Sequence, residues 1–207
     1  IIILILCGFG WRANAQYYNN PEYTELQGGL VAGANFSQVD GDGYKGYDKT
    51  GINAGGILFL PFGENVGRPF DATLALSLEV LYEQKGSIGK GALPNSNGVV
   101  AQKIQLHYAE VPLMLNLFRG TRKSGFGLGL ALGYLGFSEE TIEPGKLKEG
   151  NPFKKLDLSF VLGGNIHIYK GFFLNPRFEY SLLSVRNNDG RYGGRDTRFN
   201  NVVSLRV

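Results

Sequence analysis

Residues 125–134, GFGLGLALGY, decide the fold, because large and small side chains alternate in them without interruption. Phe126, Leu128, Leu130 and Leu132 fall on one face of an extended chain, and glycines and an alanine fall on the other. Strict alternation over this length is typical of a β-strand whose two faces meet different surroundings. The segment therefore predicts a strand with one bulky apolar face and one face of very small residues.

The same period of two recurs along the chain, and we count eight strands. Eight is an even number, as in closed bacterial outer-membrane barrels. In strand four the alternation changes parity between Tyr108 and Leu113, next to Pro112, which predicts a β-bulge there. We predict an all-β fold, an eight-stranded antiparallel up-and-down transmembrane β-barrel. The strands are expected at about 29–39, 51–60, 71–84, 102–118, 125–137, 155–168, 172–185 and from about 200 to the end.

The connections between the strands alternate in length, which is independent support for such a barrel. Outer-membrane barrels have short periplasmic turns and longer external loops. The predicted long loops are glycine-rich and polar, and they follow every odd-numbered strand. The long connections are 40–50, 85–101, 138–154 and 186–199, and the others are 61–70, 119–124 and 169–171.

Apolar and polar residues also alternate along the strands of a soluble barrel. A membrane barrel therefore differs from a soluble one in the direction in which its bulky apolar face points. An eight-stranded barrel has an interior just wide enough for side chains to fill. The large apolar residues would overcrowd that interior, so we predict that they face lipid; a soluble periplasmic barrel remains the alternative. Aromatic residues near the strand ends predict two girdles at the membrane surfaces. We assign Phe59, Phe62, Phe70, Phe118, Tyr169, Phe172 and Phe173 to the periplasmic rim, and Phe36, Tyr82, Tyr134, Phe137 and Tyr180 to the external end.

The first residues of the sequence predict export from the cytoplasm. Residues 1–10 are apolar, and Ala13-Asn14-Ala15 has the form of a signal-peptidase site. We predict a signal peptide over 1–15 cleaved after Ala15, a periplasmic lead-in over 16–28, and the barrel domain over 29–207. A buried strand of a soluble protein is the alternative for the apolar run. We also expect residues to be missing at the start, where no basic segment precedes that run, and after Val207, which is not the aromatic residue that usually ends such barrels.

Composition and charge exclude several classes of function. The formal net charge is +3, and the basic residues are scattered, so nucleic acid is not an expected partner. Cys7 is the only cysteine and lies in the predicted signal peptide; Leu6 before it is too large for a lipoprotein site. With two distant histidines besides, we expect no metal site and no cofactor. After Gln16 no segment approaches 18 consecutive apolar residues, so no transmembrane helix is predicted.

Two sequence blocks resemble a known family. They are E-x-x-Y-x-x-K-G, with Glu79 and Lys85, and Y-x-E-x-P, with Tyr108, Glu110 and Pro112. With the segments around them, they resemble the PorT-like outer-membrane β-barrel proteins of Bacteroidota over nearly all of the mature chain. The resemblance implies a barrel in the cell outer membrane, and we expect that barrel to be monomeric. It also implies a secretion-associated role, because the namesake is associated with export of proteins across the outer membrane.

Charged residues on the less bulky faces predict a network inside the barrel. Buried charges are costly unless they are paired. We expect Glu79 and Glu83 to meet Lys103 and His107 on the next strand, and Glu179 to meet Arg206. The predicted lumenal network comprises Glu79, Glu83, Lys103, His107, Glu110, Asp157, Arg177, Glu179 and Arg206.

The sequence favours a non-catalytic protein with a structural or partner-binding role in the cell envelope. A lipid-modifying hydrolase is one alternative, since Ser77, His107 and Glu79 can be written as nucleophile, base and orienting group. A small passive pore is another. Expected partners are outer-membrane lipid, lipopolysaccharide and envelope proteins, bound through the external loops or the periplasmic rim. A basic external loop could meet lipopolysaccharide or a protein partner, and a merely solvated loop is the alternative. That loop patch comprises Arg186, Arg191, Arg195 and Arg198.

Overall fold

The computed structural model describes residues 26–41, 46–64, 72–92, 99–119, 124–142, 153–186 and 197–207. These residues form eight strands that close into one antiparallel barrel, which confirms the predicted fold. Across this part of the chain, no helix is long and apolar enough to cross a membrane. The predicted signal peptide lies outside the described residues. The strands are β1 (Gln27–Asp40), β2 (Lys49–Glu64), β3 (Ala72–Ala92), β4 (Val99–Arg119), β5 (Ser124–Ile142), β6 (Leu156–Tyr169), β7 (Phe172–Ser181) and β8 (Phe199–Arg206).

The barrel closes where the first strand meets the last. Phe36 of β1 lies opposite Val203 of β8, and the backbones of Ala32 and Val207 exchange two hydrogen bonds of 2.9 Å. Closure removes the unpaired edges that an open sheet would expose. At one end of the barrel β6 and β7 are joined by Lys170 and Gly171 alone; we call this the short-turn end and the opposite one the long-loop end.

Large apolar side chains cover the outside of the barrel, and on β5 small residues face the inside. On β5, Leu128, Leu130 and Leu132 are each about half exposed, at 49%, 50% and 52%. Gly129, between them, faces inward, and a β-carbon added there would lie 2.1 Å from the carbonyl oxygen of Leu113 on β4. The alternation in this segment thus has two physical causes. The leucines form part of an exposed apolar surface, and the glycines allow β4 and β5 to lie close together on the inner face.

The irregularity near Pro112 lies in a different strand from the one predicted. The β3–β4 register runs without a shift, whereas the β4–β5 register slips between His107 and Tyr108, so the extra residue is Gly136 of β5. The prediction of a bulge in β4 is wrong. Because β4 keeps its parity, its apolar residues Ile104, Leu106 and Tyr108 point into the barrel and are buried.

Three strands continue past the closed ring at the long-loop end. Pairing of β2 with β3 reaches Asn53↔Glu83, and pairing of β5 with β6 reaches Tyr134↔Leu156. Beyond these pairs β3, β4 and β5 still pair with each other as far as Ala92↔Val99 and Gln102↔Ile142. Much of the segment 85–101, predicted as a loop, is therefore strand. We call this three-stranded part of β3–β5 the external extension.

Candidate functional site: the barrel lumen

A caged lysine lies at the centre of the lumen. Lys85 of β3 is completely buried, and its ammonium donates hydrogen bonds to carboxylate oxygens of Glu110 on β4 and Glu179 on β7. The carboxylate of Glu83 lies 3.4 Å from the same nitrogen, which is also 5.3 Å from the centroid of the Tyr108 ring. Since β3 and β7 lie on opposite sides of the ring, Lys85 ties the two walls together across the lumen.

A second layer of charge lies on the short-turn side of the lysine. Arg177 of β7 donates two hydrogen bonds, of 2.5 and 3.0 Å, to the two carboxylate oxygens of Glu79 on β3. Arg206 of β8 donates a third bond, 2.9 Å long, to the same carboxylate. All three side chains are buried. The paired geometry with extra hydrogen bonds is what a charge needs in order to be stable away from water.

Below this layer a chain of amides leads to the short-turn end. Asn116 donates to the hydroxyl of Ser77 at 2.8 Å and accepts from Asn165 at 3.2 Å. Asn165 accepts from Asn175 at 2.8 Å, and Asn175 accepts from Arg206 at 2.9 Å. The chain joins strands β3, β4, β6, β7 and β8, so polar side chains also fill this part of the interior.

Above the caged lysine, Asp157 is the next charged group. It accepts hydrogen bonds from Ser181 at 2.9 Å and from Asn200 at 2.8 Å. Asn200 also donates to the hydroxyl of Tyr108 at 3.3 Å, which links this layer to the lysine cage.

The buried acidic and basic residues of the described chain are equal in number. There are five carboxylates (Glu79, Glu83, Glu110, Asp157 and Glu179) and five cations (Lys49, Lys85, Arg177, Arg198 and Arg206).

An apolar cluster closes the long-loop end of the lumen. Besides Tyr108 it contains Ile104 and Leu106 of β4 and Leu135 of β5, and Phe153 and Val185 join it from the segments before β6 and after β7. All of its members are at most 2% exposed. We call it the apolar plug. Its members come from four parts of the chain, so it forms only when the loop stems fold back over the barrel.

The structure places most of the predicted network in the lumen but pairs it differently. Glu179 meets Lys85 rather than Arg206, and Arg206 meets Glu79. The predicted pairing of Glu179 with Arg206 on the neighbouring strand is wrong, because both partners reach across the interior. The predicted residues that line the lumen are Glu79, Glu83, Glu110, Asp157, Arg177, Glu179 and Arg206.

Lys103 and His107 lie on the outside of the barrel, so the prediction that they join the lumenal network is wrong. They alternate with Ile104 and Leu106, which are buried inside, and β4 contains no bulge that would change its parity. Lys103 is exposed. His107 contacts Tyr82 through a 2.7 Å hydrogen bond at Nδ1.

The structure separates the three residues of the hydrolase alternative and brings two arginines of the basic loop patch onto one carboxylate. Ser77 and Glu79 face the lumen while His107 faces outward, so the barrel wall separates the base from the other two groups. Arg186 and Arg198 converge on Glu140, at 3.5 and 3.4 Å. The other two arginines of the patch, Arg191 and Arg195, lie outside the described residues.

Lys85, the central residue of the lumen, was missed by the sequence prediction. It follows the last residue expected in strand three, so it fell in a predicted loop. The signal that could have found it is parity: Glu79, Glu83 and Lys85 share one face if the strand simply continues. Single oxygens of Glu83, Glu110 and Glu179 lie within 4.8 Å of one another, an arrangement that would suit a metal ion, but the ammonium of Lys85 already lies among them.

A belt of exposed leucine, isoleucine, valine and phenylalanine side chains surrounds a charged interior, which is the reverse of a water-soluble barrel. Aromatic side chains exposed at its borders include Tyr169 and Phe172 at the short-turn end and Tyr134 and Phe137 toward the other. The girdle prediction is wrong for Phe59, Phe118 and Phe173, because they share their strand faces with the buried Asn53, Asn116 and Arg177 and therefore point inward. The rings of Phe59 and Phe118 pack edge to face with centroids 5.9 Å apart. Phe70 lies outside the described residues.

This combination defines an integral outer-membrane β-barrel protein. In barrels of this class the short turns face the periplasm and the longer loops face the outside of the cell. Residues 14–187 match the family described as outer membrane protein beta-barrel domain, and the chain belongs to that family. Among curated proteins, none matches the chain.

Proposed function

We propose that this protein acts in the cell envelope as a closed, non-catalytic barrel that binds partners through its external side. The observation that carries the proposal is the cage around Lys85, which joins carboxylates of β3, β4 and β7 in the middle of the lumen. A lumen held shut by ion pairs between opposite walls is suited to rigidity and not to conduction.

Conductance in planar lipid bilayers tests the closed lumen. The amide chain, the two charged layers and the apolar plug fill successive levels of the interior, so the purified barrel should show no steady conductance. A double variant, Lys85→Ala with Phe153→Ala, should leak more than the wild type because it empties both the cage and the plug. Steady, large conductance of the wild-type barrel would instead favour the passive pore.

Partner binding is expected at the external side, where the extension of β3–β5 and the arginines near Glu140 lie. Lipopolysaccharide and envelope proteins are the candidate partners. Photo-crosslinkers placed at exposed positions of the external extension, such as Lys103, should capture a partner in whole cells. The same crosslinker at Lys170, at the periplasmic turn, is the matched control. Equal products from both positions, or none from the external one, would contradict an external partner.

The partner is proposed to belong to a protein secretion system, as in PorT-like proteins. The support is the resemblance of the two sequence blocks, whose residues Lys85, Tyr108 and Glu110 lie together in the lumen, with Glu79 in the second charged layer. Deletion of the gene should reduce the amount of secreted protein in the medium and raise it in the periplasm. Unchanged secretion would contradict the secretion-associated role but would not contradict the proposal of a closed barrel.

Catalysis is tested separately. Lipid A incubated with the purified barrel should remain fully acylated. Deacylation that is lost on His107→Ala would establish the hydrolase alternative instead.

A further inference from the structure

A narrow groove runs along the outer wall near the external border of the apolar belt. Ala109 of β4 lies directly between Tyr82 of β3 and Tyr134 of β5, and all three side chains point outward. The two tyrosines are exposed by 41% and 55%. Neighbouring strands are about 4.8 Å apart, so the α-carbons of the two tyrosines lie roughly 10 Å apart with only the methyl group of Ala109 on the strand between them. The Tyr82 side chain leans toward His107 on β4, and the depression over Ala109 lies between that side chain and Tyr134. A depression of this kind has room for one hydrocarbon chain.

A fixed set of polar groups lies at the external end of this groove. The backbone N–H of Ile52 donates to Gln84 Oε1 at 3.3 Å, which turns the amide nitrogen of Gln84 toward the hydroxyl of Tyr82, 2.9 Å away. That hydroxyl shares a 2.7 Å hydrogen bond with Nδ1 of His107. Since Nδ1 is engaged, Nε2 is the ring nitrogen that can bind a ligand at the border of the belt. The ring of Phe137 packs edge to face against the His107 ring, with the centroids 5.2 Å apart.

Farther out, the same face becomes hydrophilic. Lys103 and Gln105 follow on β4, and Glu139 and Thr141 lie opposite them on β5. Lys103 is exposed, and the other three are half-buried. Glu139 has interactions of its own, so the face offers a cation, an amide and a hydroxyl beside an already engaged carboxylate. Such a mixture of donors and acceptors fits a phosphorylated sugar. A purely anionic or purely apolar ligand would match it less well.

We propose that this surface binds one phosphorylated glycolipid of the outer leaflet. One acyl chain lies in the groove over Ala109, the sugar contacts His107 and Gln105, and a phosphate contacts Lys103. Two features select this occupant. The groove is continuous with the apolar belt that lipid chains cover, and its polar end lies at the level where lipid headgroups begin. The site is on the outer wall, so it is independent of the lumen, and it rests on the proposed binding of lipopolysaccharide at the external side, for which it names the contacts.

Native mass spectrometry of the barrel with purified lipid A tests the site. Ala109→Leu fills the groove with another apolar side chain and should weaken binding at least tenfold. Lys103→Gln should weaken lipid A binding severalfold but leave binding of dephosphorylated lipid A unchanged. Ala32→Leu, which adds the same atoms to an exposed position of β1, is the matched control and should bind like the wild type. Heat-modifiable migration on a gel establishes that each variant is folded.

The probes separate the sources of binding. Phosphatidylglycerol, which has the chains and a phosphate but no aminosugar, should bind more weakly than lipid A, and inorganic phosphate should not compete. Equal retention of lipid A by the wild type, Ala109→Leu and Lys103→Gln would overturn the site. Equally strong binding of phosphatidylglycerol would overturn its assignment to a glycolipid.

Discussion

Removal of the caged lysine is the most informative perturbation of this barrel. Lys85→Met keeps most of the side-chain volume but leaves Glu83, Glu110 and Glu179 without their common cation. At 4.8 Å and an effective dielectric constant of 20, two carboxylates repel each other by about 3.5 kcal/mol. Breaking a buried ion pair by removal of one member typically costs about 3–5 kcal/mol. We therefore expect the free energy of unfolding to fall by about 3–5 kcal/mol.

The assay is urea unfolding of the barrel in lipid vesicles, followed by far-ultraviolet circular dichroism and by the gel shift between folded and unfolded forms. Lys103→Met, at an exposed position on the outside of β4, is the control and should change stability by less than about 1 kcal/mol. The triple variant Lys85→Met, Glu110→Gln, Glu179→Gln removes the repulsion together with the lysine and should recover at least half of the loss. A Lys85→Met barrel as stable as the Lys103→Met barrel would refute the reasoning. So would a triple variant less stable than the single one.

Three further predictions follow from the two faces of the wall. Arg177→Lys should destabilise the barrel by about 1–3 kcal/mol in the same urea assay, since one ammonium cannot reproduce two parallel bonds to a carboxylate, and unchanged stability would mean that the bidentate pair is not formed. Leu130→Arg should cost about 2–4 kcal/mol in vesicles, because the side chain faces hydrocarbon; a variant as stable as the wild type would place Leu130 in water. Gly129→Ala should cost about 1–3 kcal/mol, since its β-carbon would lie 2.1 Å from a carbonyl oxygen, whereas Gly171→Ala, with no atom within 4 Å, should be tolerated. Similar folding yields and midpoints for the two alanine variants would contradict the close approach of β4 and β5.

The number of strands and the direction of most side chains could be predicted from the sequence. Alternation is a local property: each residue points opposite to its neighbour wherever the backbone is extended. Residues 125–134 show it with leucine against glycine, and the structure places those leucines outside. Turn-forming residues are equally local, so the even count of strands followed without knowledge of any contact. The predicted long loop 85–101 was an exception, because β3 and β4 continue through much of it.

Predictions failed where the outcome depended on two strands at once. A slip in register can be placed in either member of a pair, and the sequence near Pro112 pointed to β4 although the extra residue is Gly136 of β5. That single choice sent Lys103 and His107 to the wrong side of the wall. The same error hid the apolar plug, because Ile104 and Leu106 were assigned to the lipid face.

Sequence alone therefore determined the architecture, the outer-membrane placement and which strand faces are apolar, because these depend on composition and on a period of two. Only the tertiary structure decided which charges meet. Arg177 and Glu79 are 98 positions apart, and Lys85 and Glu179 are 94 apart. Their strands are not neighbours in the ring, so no strand order predicts their contact. It arises from the narrow diameter of a closed eight-stranded barrel, which brings opposite walls within reach of a single long side chain.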